Sequence, residues 1–240
     1  VQELLRQEET LARAQAGNMT SFFQTFGKSV AMFAQLSSMQ DRDARALQDM
    51  NVFVEQWRES GLIGGVVLTD KKGTVQLNAN VLGTSDVGAN LADRDYFVWA
   101  KEQSGKGEYF VDRPRVSRLG ATKGQMIVPV VAAVYREDEF MGVLSASVKL
   151  LSLTERYLEL MKVADTTDVY LADSQGEIFY SSGVSDAVGE SVLDMFPELK
   201  LAAKEGKLKS GKSLLAYAPV LPESQNWRLI MASPFQDVTQ

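Results

Sequence analysis

Arg94 is followed at two and three residues by Tyr96 and Phe97, inside the stretch LADRDYFVWAKEQSGKGEYF, Leu91 to Phe110. A guanidinium offers a planar fork of donors that matches the two oxygens of a carboxylate, and aromatic neighbours shield such a contact from water. Arg94 can in this way hold a small organic anion, with Tyr96 and Phe97 either walling a pocket or filling the core. The competing reading is an ion pair between Arg94 and Asp93 or Asp95. Further along, DRPRVSRLGATKGQ sets Arg113, Arg115, Arg118 and Lys123 against Asp112. Arg115 and Ser117 alternate, so both face one side of a strand and can complete the polar end of the same site. A solvated hairpin is the alternative. Tyr109, after a Gly-Lys-Gly turn, is the sixth candidate, with its hydroxyl directed at the same cavity. GKGEYF itself lacks the length and the Lys-Ser/Thr ending of a phosphate loop. Trp99 reads as core.

Other chemistries are excluded by missing residue types. The 240 residues contain no cysteine and no histidine. Disulfides, zinc–thiolate centres, cysteine nucleophiles, Ser-His-Asp triads and a phospho-accepting histidine are therefore ruled out within this chain. No nucleophile–base pair stands at a suggestive spacing among the remaining types, and no calcium-loop spacing is present. The chain is read as non-enzymatic, without cofactor or metal. A net charge of -6 argues against nucleic acid as a partner. Asp70 and Asp173 sit in Gly-containing turns, where side-chain bonds to turn backbone account for them.

The elements that hold these residues follow from periodicity. Met19, Phe22, Phe26, Val30 and Phe33 form one helical stripe, and Ala46, Met50, Phe53 and Trp57 a second, with Asp41 or Asp43 as its cap and Gly61 as its stop. Then VVLTDKKGTVQLNAN reads as a hairpin, and VYLADSQGEIFYSSG repeats it later in the chain. Val66 matches Val169, Asp70 matches Asp173 and Gly73 matches Gly176. The echo continues with Val87-Gly88 and Val188-Gly189, Pro129-Val130 and Pro219-Val220, and GVLSASV and WRLIMAS. Two copies of one α+β module with antiparallel sheets are expected. Leu150, Leu153 and Tyr157 mark a helix between them. The expected boundaries are a helical region at 1–60, a first module at 61–150, a linker helix at 151–165 and a second module at 166–240.

LTDKKGTVQLN, VGANLADRDYF, GKGEYFVDRPRVSRLGATKGQMIVPV, FMGVLSASVKLLSLT and VYLADSQGEIFYSSG, in this order after a long helix, resemble a double Cache domain. This is the PAS-like extracellular sensor module of bacterial and archaeal receptors. The resemblance covers about residues 1 to 236. It implies a long N-terminal helix followed by two PAS-like modules, the first membrane-distal and the second membrane-proximal. It also implies transmembrane helices outside this chain, and a cytoplasmic histidine kinase, chemotaxis or diguanylate cyclase output. In amino-acid-binding members an Arg followed by aromatics at this spacing holds the ligand carboxylate. Ala89 stands where an earlier aromatic is expected, and no Asp lies between Arg115 and Thr122 to hold an ammonium. An acid without an amine fits such an Arg-rich wall.

The expected function is thus an extracytoplasmic sensor that binds a small carboxylate or amino-acid-like ligand. Its first module would use Arg94, Tyr96, Phe97, Tyr109, Arg115 and Ser117, and a homodimer would form through the N-terminal helix. The alternative is a protein-interaction module that senses a periplasmic partner. A deep cavity with convergent Arg and Tyr groups favours the first reading, and a filled core beneath residues 94 to 117 favours the second. The start at Val1 rather than Met reads as that of a piece excised from a longer protein.

Overall fold

Gln2–Ala34 form one uninterrupted helix of 33 residues, α1, in a computed structural model that describes residues 2–161, 165–183, 185–200, 202–222 and 224–235. Its buried stripe is Ala12, Ala16, Met19, Phe23, Phe26 and Val30. Phe23, rather than Phe22, is fully enclosed; Phe22 packs against Tyr157. Gly17-Asn18 does not interrupt the helix, because packing of the apolar face outweighs a glycine cost of about 1 kcal/mol. Among the described residues no helix is long and apolar enough to cross a membrane.

Two further helices follow, α2 (Ser37–Asp41) and α3 (Ala44–Arg58). Asp43 caps α3, its carboxylate accepting from the Arg45 amide at 2.8 Å. Gly61 ends the segment in the left-handed region, at φ 66°. The first sheet contains β1 (Ile63–Thr69), β2 (Val75–Asn80), β3 (Phe110–Val111), β4 (Arg115–Val116), β5 (Met126–Arg136) and β6 (Glu139–Lys149), with α4 (Asp95–Glu102) between β2 and β3. Its order is β2-β1-β6-β5-β3, with β4 also on β5, and every pairing is antiparallel.

After α5 (Leu150–Leu158) comes a second antiparallel sheet of β7 (Asp168–Ala172), β8 (Ile178–Ser181), β9 (Gly206–Ser210), β10 (Ser213–Val220) and β11 (Trp227–Pro234). A short α6 (Val192–Met195) precedes β9. The order β8-β7-β11-β10-β9 repeats that of the first sheet. The two sheets belong to separate units. Residues 23–153 form one, and residues 1–22 with 154–240 form the other. Inside the second unit, Glu8 of α1 is fully buried and its Oε1 accepts from the Ser233 and Thr167 hydroxyls.

The repeat is a repeat of hydrogen bonds. Asp70 Oδ1 accepts from the amides of Lys72 and Thr74, and Asp173 Oδ1 from those of Gln175 and Glu177. The Gly88 amide donates to Val75, as Gly189 does to Ile178. Val66 faces Ala146 as Val169 faces Met231, which is the match of GVLSASV to WRLIMAS. Pro129 pairs with Ser147 and Leu215 with Ala232, so the ladder puts Leu215, not Pro219, opposite Pro129. Matching prolines by type misplaced that strand by four residues.

Candidate functional site

In the unit of residues 23–153, a cavity of about 60 Å³ lies between the first sheet and the segments that cover it. Since one enclosed water needs about 10–15 Å³ on this measure, the space suits a ligand of a few non-hydrogen atoms. Gly64 to Val67 of β1, Asn78 to Asn80 of β2, Ser145 and Ser147 of β6, and Ile127 and Pro129 of β5 make the floor. Arg94 and Tyr96 at the start of α4, Arg115 of β4, and the segment from Ser117 to Thr122 make the cover.

The three arginines of the cover differ in how they are satisfied. Arg115 is 13% exposed; its Nη2 sits 2.7 Å from Asp112 Oδ2 and 3.1 Å from Asp95 Oδ2. Arg118 donates to Asp93 Oδ1 at 2.6 Å. Arg94 is half-buried at the N-cap of α4, and its guanidinium makes no hydrogen bond or ion pair with any described residue. Burial first, then the charges of Arg118 and Arg115, lower its pKa. Asp112 is only 2% exposed, and burial raises its carboxyl pKa against the pull of Arg115. The Arg115 Nε is enclosed and has no hydrogen-bond partner among the described residues. Tyr96 is pushed up to about 12, chiefly by burial, with Arg94 and the Ser145 hydroxyl opposing.

An acid reaches this wall from a loop. Asn78 and Asn80 of β2 each donate from Nδ2 to the Thr84 carbonyl at 2.7 Å, and Asn78 Oδ1 accepts from the Asp86 amide at 3.0 Å. These bonds fold the loop back and place Asp86 on the cavity, where its Oδ1 accepts from the Gly120 amide at 3.0 Å. Gly120 has φ 57°, which favours glycine, and a Cβ there would stand 2.9 Å from Asp86 Oδ2 and push that carboxylate aside. Ser117 is mainly structural. Its hydroxyl donates to the Leu119 carbonyl at 3.1 Å and accepts from Thr122 Oγ1 at 3.0 Å, which holds the covering segment in shape.

Of the six residues expected from sequence, Arg94, Tyr96, Arg115 and Ser117 line the cavity. Phe97 lies in the neighbouring core with Val131, Ala133 and Val143, its ring 6.0 Å from that of Phe140. Tyr109 lies over Gly27 of α1, which has no side chain to obstruct the ring. Sequence reasoning missed Asp86, Asn78, Asn80, Thr122 and the β6 serines. Two asparagines at alternate positions of β2 followed by Asp86 were the available signal.

The second unit fills the corresponding place. By register, Tyr170 stands for Val67, Ile230 for Ser145, Ala232 for Ser147 and Tyr217 for Val131. Leu91 and Val192 bond alike to the hairpin glycine, so Met195 stands for Arg94. Tyr170, Phe196, Tyr217 and Ile230 pack into one apolar cluster there.

A family profile described as Cache domain matches residues 1–240. No curated protein matches the chain. Among solved structures, the extracellular ligand binding receptor of Desulfohalobium retbaense DSM5692 superposes with a TM-score of 0.73 at 15% identity; the match covers 93% of this chain and 39% of that one. The ligand-binding domain of the Pseudomonas aeruginosa PAO1 amino acid chemoreceptor PctB, in complex with L-Arg, gives 0.72 at 14% identity over 100% and 98% of the two chains. That of the Pseudomonas fluorescens chemoreceptor CtaA, in complex with L-serine, gives 0.69 at 16% over 98% and 99%.

Proposed function

Since this chain belongs to the Cache domain family, we propose that it is the sensor domain of a transmembrane receptor and that the cavity of its first sheet captures a small carboxylate. The observation that carries the reading is the unpaired Arg94. A cation held beside two others, in a partly buried wall, lacks the counter-charge that Arg115 and Arg118 have. A ligand carboxylate supplies it, in the bidentate geometry that a guanidinium favours. The free Arg115 Nε offers a further donor. Tyr96 covers the contact, and Phe97 and Tyr109 support the wall from outside the cavity.

Asp86 extends the ligand class. Its Oδ1 is held by Gly120, and its Oδ2 stands ready for an ammonium, so an amino acid suits the site as well as a plain acid does. This agrees with the amino acids named for PctB and CtaA. Ligand binding shifts the domain toward the state in which the Asp86 loop and the 117–122 segment close. A ligand moves that equilibrium only by its difference in affinity for the open and closed forms. We place the first-sheet unit distal to the membrane, the second proximal, and any catalytic output beyond this chain.

A thermal-shift screen of small carboxylic acids and amino acids, run on wild type and Arg94→Ala, tests this reading. A ligand that binds only the folded state raises the melting temperature by mass action. An acid whose shift disappears in Arg94→Ala supports it. Absence of any acid-specific shift, or a shift indifferent to Arg94, refutes it.

A further inference from the structure

The second-sheet unit has lost the cavity of the first, yet it contains one of its own at a different place. This cavity is about 240 Å³, four times the first, and opens beside the β7–β8 turn. Lys200, Lys204 and Arg228 line it together with Asp173. Asp173 Oδ1 accepts the amides of Gln175 and Glu177 at 2.8 and 3.0 Å, which orients the carboxylate and leaves its negative charge in the lining. Arg228 donates Nη1 to the Leu199 carbonyl at 3.2 Å and lies over the Tyr217 ring, which orients the guanidinium. Lys200 stands 3.9 Å from Asp194, a long pair with both side chains in water. Lys204 has no ion pair with any described residue. Leu193, Val192 and Leu199 form an apolar floor.

Three cations against the one carboxylate of Asp173 therefore line a concave, partly apolar surface, a surplus of two positive charges in a chain whose net charge is -6. A bound anion relieves the mutual repulsion of these cations. A monoanion offsets half of that surplus, whereas a molecule carrying two or more negative charges offsets all of it. We propose that this cavity is a second binding site, which takes a soluble polyanion such as a polycarboxylate or a phosphate-bearing compound through Lys200, Lys204 and Arg228. The site is independent of the carboxylate cavity of the first unit.

Isothermal titration calorimetry on the whole chain tests it, with citrate and inorganic pyrophosphate as probes and acetate as the monoanion control. Lys200 and Lys204 are exposed, so the double variant Lys200→Gln/Lys204→Gln tests the site without removing the packing of Arg228 on Tyr217; an unfolding midpoint confirms that it folds. The expected result is saturable binding of either polyanion, weakened by about tenfold or more in the double variant, as loss of charge-assisted contacts implies. The same binding persists in Arg94→Ala. Failure of both probes to bind overturns the proposal. So does binding that survives the double variant, or binding that Arg94→Ala abolishes, which would assign the probe to the first cavity.

Discussion

Arg94 and Arg115 line the same cavity and should respond to removal in opposite ways. Arg115 anchors the 2%-exposed Asp112 at 2.7 Å, so Arg115→Ala strands a buried carboxylate. Breaking a buried pair from one side costs about 3–5 kcal/mol. Asp112 escapes part of that by taking up a proton, because burial has already raised its pKa. About 3 kcal/mol is therefore expected at neutral pH, or roughly 6–12 °C in melting temperature for a chain of this size. Arg94 has no counter-charge to lose and sits beside two cations. Arg94→Ala should stay within about 0.5 kcal/mol, hence about 2 °C, of wild type. Its effect should appear in binding, where one charge-assisted bidentate contact is worth about 2–3 kcal/mol. That corresponds to a dissociation constant raised roughly 30- to 140-fold. Calorimetric melting of the unliganded variants and titration with the acid identified by screening measure the two quantities separately. If Arg94→Ala melts as early as Arg115→Ala, Arg94 is a structural ion-pair residue and the reasoning fails.

Three other outcomes are expected. Asp86→Asn keeps the acceptor for the Gly120 amide but loses the charge, so affinity for amino acids should fall about tenfold while affinity for plain acids is unchanged; equal losses for both ligand types would count against an ammonium site. A Cβ at Gly64 would collide with the Thr122 methyl, so Gly64→Ala should cost about 1–3 kcal/mol and occlude the cavity. Thr122→Ser in the same chain, which removes that methyl, should restore much of both in a double-mutant cycle. Burial raises the Glu8 pKa above 4.5, against the opposing bonds from Ser233 and Thr167. Because the folded value is the higher one, Glu8 contributes stability that is complete below 4.5 and lost as pH rises through the folded value. Glu8→Gln should therefore be more stable than wild type at neutral pH and lack that part of the pH dependence in urea unfolding; an unchanged pH profile would reject the assignment.

The sheets were legible because the repeat is periodic and punctuated. Asp70 and Gly73 return as Asp173 and Gly176 with the same backbone bonds, so the hairpins could be paired from residue types alone. Strands β5 and β10 could not, since matching Pro129 to Pro219 ignores the ladder that fixes the register. On the site, Arg94 stood out beside aromatics, and Arg115 in a basic stretch of an acidic chain. Tyr96 and Phe97 looked equivalent, but neighbours on a helix point about 100° apart, so one covers the cavity and the other enters the core. Asp86 was missed because its position depends on the Asn78 and Asn80 side chains folding the loop back within eight residues, a local signal in residues that also read as ordinary turn polar groups.

The two units are also unequal in how the chain supplies them. Residues 23–153 are one continuous segment, whereas the other unit needs residues 1–22 together with 154–240. Thr20 bonds to Leu221 and Glu8 to Ser233, partners 201 and 225 positions apart. During synthesis residues 23–153 are complete while the ribosome is still adding residues 154–240 of the companion unit, a delay on the order of ten seconds. For that interval the buried face of residues 1–22, with Ala12, Ala16 and Met19, lacks the rest of its unit. The continuous unit can therefore form ahead of the discontinuous one, and the segment left waiting is the amino-terminal end of the helix. A fragment cut to the first unit begins inside α1, near Phe23, and not at the boundary between the two copies of the repeat.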